Sequence, residues 1–73
     1  MVHLIKDPIE LGRIVVEKRK SDCLTQAQLA ALSGVGVRFV GELERGKPTT
    51  RLDKILKVLN GLGLNLTVKS RGE

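Results

Sequence analysis

Apolar residues recur at helical spacing in four stretches of this chain, each opening and closing on residues that start or stop helices. In the first, Asp7 can cap, Pro8 suits the first helical position and Glu10 can reach back to the cap amide. Leu11, Val15 and Val16, with Ile14 beside them, then form an apolar stripe opposite a charged face ending in Lys18-Arg19-Lys20, and Ser21-Asp22-Cys23 breaks the helix. Thr25 with Gln28 makes a capping box for a second helix, in which Leu29 and Leu32 are expected to bury while alanines allow close approach of neighbours. Gly34 is free to take the positive φ that ends this helix, and Val35 is the expected apolar plug of the turn. A third helix is predicted from Val37 to about Arg45, with Val40 and Leu43 inward, Val37, Arg38, Gly41 and Glu42 outward, and Gly46 as its stop. After the loop Lys47-Pro48-Thr49, Thr50 and Asp53 read as a capping box for a fourth helix. Its apolar positions are Leu52, Ile55, Leu56, Leu59 and Leu62, and Gly61 and Gly63 end it.

The period then changes from helical to two. Leu64-Asn65-Leu66-Thr67-Val68-Lys69 alternates strictly, which predicts a half-buried strand over 64–69. A lone strand leaves backbone donors and acceptors without partners, so it must pair. Residues 2–5, extended in character, are the candidate within the chain; the same strand of a second copy, lying antiparallel across a two-fold axis, is the other and the preferred one. It places Leu64, Leu66 and Val68 in a dimer interface.

Size favours the dimer as well. Seventy-three residues allow one domain, taken as 1–73 with a helical core over 7–62. A single core of this size rarely supplies more than about 3–5 kcal/mol, so a staple or partner is expected. One cysteine rules out an internal disulfide framework, and no Cys/His cluster suggests a metal or cofactor. Thirteen Lys+Arg against eight Asp+Glu give a formal +5, a balance that favours a polyanionic partner such as duplex DNA. Phe39 is the single aromatic, which argues against modules that stack single-stranded bases on aromatic platforms. No apolar run reaches membrane-spanning length, and the N-terminus is too short and polar for a signal peptide. The expected location is therefore cytoplasmic, associated with the nucleoid.

The residues Leu11-Gly12, Val15, Arg19, Leu24-Thr25-Gln26, Leu29-Ala30, Gly34-Val35, Val40, Leu43-Glu44 and Gly46 together resemble the XRE-type helix-turn-helix shared with the lambdoid phage repressors and Cro. The match spans about residues 9–62. The flank Thr49-Thr50-Arg51-Leu52, followed by Ile55-Leu56-Lys57-Val58-Leu59 and Leu62-Gly63-Leu64-Asn65-Leu66-Thr67-Val68, is similar to HipB-type antitoxins. Those are dimeric repressors that also bind a HipA-type serine/threonine kinase toxin. The resemblance implies a mainly α fold, a lambda-repressor-like domain of four to five helices with a C-terminal β-strand pairing across a dimer.

It also implies roles for single positions. Val37, Arg38 and Glu42 match positions that meet base edges in the repressors. Arg38 suits guanine with a bidentate fork, Val37 suits a thymine methyl, and Glu42 either accepts from cytosine N4 or orients Arg38 one turn away. Val37, Gly36 and Gly41 stand where the family has polar residues, which shifts expected weight toward DNA shape. Gln26 opens a helix whose amides attract phosphate, and by resemblance its side chain also contacts the DNA backbone. Arg45, Lys47 and Arg51 are expected phosphate contacts. Arg19 and Glu44 match a family ion pair that ties the first helix to the third. His3 reads as a solvated histidine, Cys23 as a small, partly buried hydrophobe and Phe39 as helix packing rather than intercalation.

The function these readings favour is a dimeric, sequence-specific repressor of its own operon, the antitoxin of a HipA-like kinase, with inverted-repeat DNA, a second copy and the kinase as partners. The alternatives are a stand-alone XRE regulator without a toxin and a protein-interaction module that does not bind DNA. An enzyme is not expected, because there is no paired-carboxylate, Ser/His or Cys/His constellation and no phosphate-binding glycine loop.

Overall fold

The computed structural model describes residues 2–72 and contains four helices, α1 (Pro8–Ser21), α2 (Gln26–Ser33), α3 (Val37–Glu44) and α4 (Leu52–Gly61). α3 packs on both α1 and α2, and α4 packs on α2. Between them lies one apolar cluster of Val15, Leu29, Ala30, Val40, Leu43, Ile55, Val58, Leu59 and Leu62, flanked by half-buried Leu11, Leu24, Val35, Phe39 and Leu64.

The helix ends follow the local chemistry. Asp7 accepts from the Glu10 amide at 2.9 Å with Pro8 in the first turn, and Thr25 and Gln28 form a reciprocal capping box at 3.0 and 2.8 Å. Gly34, at φ 74°, ends α2, and Val35 donates back to the Ala30 carbonyl at 3.1 Å, turning the chain sharply into α3. The missing side chain of Gly12 sets how closely α1 approaches α3. A Cβ there would stand 2.6 Å from the Leu43 carbonyl oxygen and 2.7 Å from that of Glu44.

Several expectations are corrected. Residues 64–69 form no strand among the described residues: residues 2–5 line a cavity with them but run irregular and exposed, without backbone hydrogen bonds to them. Leu64 is half-buried against the core, Leu66 is exposed and Val68 is 94% exposed. Leu32 is exposed rather than buried, since α2 presents Leu29, Ala30 and Ser33 inward and Leu32 lies about 100° round the helix from that stripe. α4 starts at Leu52 with Arg51 as its cap and no side-chain capping bond, because Asp53 is taken by Arg51 instead. The buried face of α4 is Ile55, Val58 and Leu59, continuing to Leu62, which leaves Leu52 and Leu56 outside. Cys23 is exposed, holding a turn at φ 58°. Met1 and Glu73, the ends of the expected domain, lie outside the described residues.

Candidate nucleic-acid interface

α3 buries one face and frees the other. Val40 and Leu43 enter the core, while Val37 is exposed and the Arg38 side chain is 91% exposed. Among the described residues nothing covers Val37 or Arg38, so a ligand has access to this part of α3. Its residues are coupled by charge. Glu42 Oε2 lies 3.6 Å from Arg38 Nε, one turn back, and accepts a hydrogen bond from Lys47 Nζ at 3.2 Å. The Lys47 hydrogen bond holds the Glu42 carboxyl below the usual carboxylate range; burial opposes this, and the charges of Lys47, Arg38 and Arg45 reinforce it.

Gly41 departs from its expected outward placement: it is buried, and a Cβ there would meet Arg45 Nη1 at 3.3 Å. The Arg45 guanidinium thus lies back along α3 over the space a side chain would fill. Arg51 is exposed and forked onto Asp53, Nε to Oδ1 at 3.1 Å and Nη2 to Oδ2 at 2.7 Å, which lowers the Asp53 carboxyl chiefly through that hydrogen bond. Phe39 packs on the core, with the Lys54 ammonium 5.8 Å from its ring centroid.

A second charged cluster sits at the inner end of α3. Arg19 grips Glu44 through both arms, Nε to Oε2 at 2.5 Å and Nη2 to Oε1 at 3.0 Å, and its third nitrogen donates to the Leu24 carbonyl at 2.9 Å. One guanidinium therefore ties α1, the α1–α2 turn and α3. The hydrogen bond to Glu44 raises the Arg19 pKa further, opposed in part by burial. Gln26 Nε2 donates to Glu44 Oε1 at 2.8 Å, so the side chain expected at phosphate also closes this cluster. Its second amide hydrogen is left for an outside acceptor. Glu44 occupies the carbonyl end of α3, where the helix dipole disfavours a carboxylate, and Arg19 offsets this.

Sequence reasoning missed the close approach at Gly12, the folding of Arg45 over Gly41 and the two extra partners, Lys47 for Glu42 and Asp53 for Arg51. The Arg-x-Asp spacing at a helix start was a usable signal for the last. Among the described residues no group of three or more His, Cys, Asp or Glu is placed to hold a metal, and no helix is long and apolar enough to cross a membrane.

The helix-turn-helix family HTH_3 matches residues 16–69. The chain is 42% identical over 73 residues to the uncharacterized HTH-type transcriptional regulator y4mF of Sinorhizobium fredii (strain NBRC 101917 / NGR234), an alignment covering 100% of this chain and 96% of that protein. In fold it is similar to a HipB variant solved in complex with an O2 20mer, at TM-score 0.87 and 25% identity over 97% of this chain and 99% of that one. It is similar as well to a chain in the HipA-HipB-O2-O3 complex, at TM-score 0.87 and 24% identity over 96% and 99%.

Proposed function

This chain belongs to the helix-turn-helix family HTH_3 and is an HTH-type transcriptional regulator with a HipB-like fold, and from that premise we propose that it is a dimeric, sequence-specific repressor and the antitoxin of a HipA-like serine/threonine kinase. The observation that carries the DNA-binding part is the free outer face of α3, on which Arg38 stands almost wholly in solvent. Arg38 reads guanine and Val37 packs on a thymine methyl, while Gln26, Arg45, Lys47 and Arg51 hold phosphates on either side. Arg51 reaches phosphate by exchanging its contact with Asp53, an exposed pair that holds it weakly.

The dimer follows from the tail. Residues 64–69 alternate apolar and polar and carry exposed Leu66 and Val68; the Leu64 amide is bound to the Leu59 carbonyl at 2.8 Å, and beyond it residues 65–69 make no backbone–backbone hydrogen bonds. Antiparallel pairing with the same segment of a second copy gives those backbone groups partners and sets two α3 helices at half-sites about 34–36 Å apart, or a multiple of it. The kinase partnership is supported by the HipA-HipB assembly in which a chain of this fold occurs.

A second reading, a stand-alone regulator with no toxin, is favoured by the y4mF relative, which is described only as a transcriptional regulator. Mobility shift on duplex from upstream of the coding region, combined with co-purification of the product of any adjacent kinase gene, tests these readings together. A shift with kinase capture supports the antitoxin reading, and a shift without capture supports the second. No shift at low salt removes both. Deleting residues 64–69 should give a monomer by sedimentation; a truncated protein that still sediments as a dimer moves the interface elsewhere.

A further inference from the structure

We propose that Glu42 is a specificity-determining counter-ion of the DNA-reading face: it occupies Arg38 and Lys47 in the free protein and is displaced only by a duplex offering matched acceptors. The inference rests on the DNA-binding reading above and assigns Glu42 a role other than accepting a hydrogen bond from a base.

The geometry carries it. Glu42 Oε2 is shared by two cations, Lys47 Nζ at 3.2 Å and Arg38 Nε at 3.6 Å. Its side chain is 20% exposed, against 91% for Arg38 and 46% for Lys47, so the carboxylate lies beneath the cations rather than at the outer rim. Both cations converge on Oε2, through one hydrogen bond from Lys47 and one ion pair with Arg38, so the charge of Glu42 is spent on its own neighbours in the free protein. Arg45, the next cation on this surface, also acts on it through charge. The charges that act on Glu42 are those of Lys47, Arg38 and Arg45, so it is a negative charge set among three cations.

Two consequences for binding follow. Each contact that Glu42 makes with Lys47 must be exchanged before Lys47 can neutralise a phosphate, which weakens attachment to any duplex. Phosphate is the same in every sequence, whereas guanine O6 and N7 are not. The exchange at Arg38 is therefore better compensated on matched DNA, and holding down the general attachment widens the gap between matched and unmatched sites.

The test is Glu42→Gln in the full chain, which keeps size and hydrogen bonding but removes the charge. Binding is measured by fluorescence anisotropy on a selected site and on a scrambled duplex across a salt series, with melting followed by circular dichroism. The expected result is scrambled-duplex affinity raised about five- to tenfold per protomer near 0.1 M salt, with the salt slope steeper by about 0.9 per freed Lys47. The ratio of matched to scrambled affinity falls, and melting stays close to the parent. Adding Lys47→Met to Glu42→Gln should return the slope to its parental value. A Glu42→Gln protein whose scrambled-duplex affinity and slope are unchanged, while matched affinity drops, overturns the proposal and makes Glu42 a direct reader of a base. A parental protein that binds no duplex at low salt overturns the DNA-binding reading itself, a result distinct from the first.

Discussion

Glu44 and Glu42 stand two residues apart on α3, each paired with cations, and differ in how tightly they are held and how much water reaches them. Glu44 is 5% exposed and meets Arg19, itself 12% exposed, through a two-armed contact that joins elements far apart in sequence. Glu42 meets Arg38 and Lys47, both within five residues of it in sequence and both reaching into solvent. An ion pair out of water is costly to break, because the survivor keeps its charge without its partner. A pair at the surface is worth little and exchanges readily. The same chemistry thus closes the fold at one end of the helix and remains available to a ligand along its outer face.

The largest expected effect comes from breaking the inner pair. Glu44→Ala strands Arg19 and should cost about 3 kcal/mol, most of the stability of a domain this small, visible as unfolding at room temperature or a large fall in urea midpoint. A loss within 1 °C of the parental melting temperature would put the two glutamates on an equal footing. Gly12→Ala attacks the same end through sterics, pushing a methyl into the Leu43 and Glu44 carbonyls, and should cost about 1–3 kcal/mol by the same melts. Cys23→Gly relieves a residue with a side chain held at φ 58° beside Leu24, whose carbonyl takes the third Arg19 hydrogen bond. It should stabilise by about 1 kcal/mol, a rise of about 4–8 °C in Tm. On the outer face, Arg38→Ala should leave stability within about 0.5 kcal/mol.

How much of this was legible in the sequence follows the same division between local and distant causes. The caps at Asp7 and Thr25, the turn at Gly34 and the inward placing of Val40 and Leu43 depend on neighbours within a turn, and pattern reading located them. On α4 the helical period put Ile55, Leu59 and Leu62 inside, as they are, but added Leu52 and Leu56 and left out Val58, because these look equivalent until the position of α2 is known. Asp53 looked like the partner of Thr50 in a capping box and became the partner of Arg51, a competition between two local bonds that spacing alone does not rank. Gly41 looked like an empty outward position, and only the path of Arg45 fills it. The strand over 64–69 was read from alternation alone, with residues 2–5 or a second copy as its partner; residues 2–5 lie across a cavity from it and make no backbone hydrogen bonds to it, so the segment is irregular.

The central claim is that the outer face of α3 reads duplex DNA through Arg38, and its most direct test compares parental and Arg38→Ala protein on a selected site and a scrambled duplex at one fixed salt concentration. Removing Arg38 should cost about 1–3 kcal/mol per half-site in preference for the selected site, with melting unchanged. Equal preference in the two proteins, or a collapse of melting on removing Arg38, would contradict the claim.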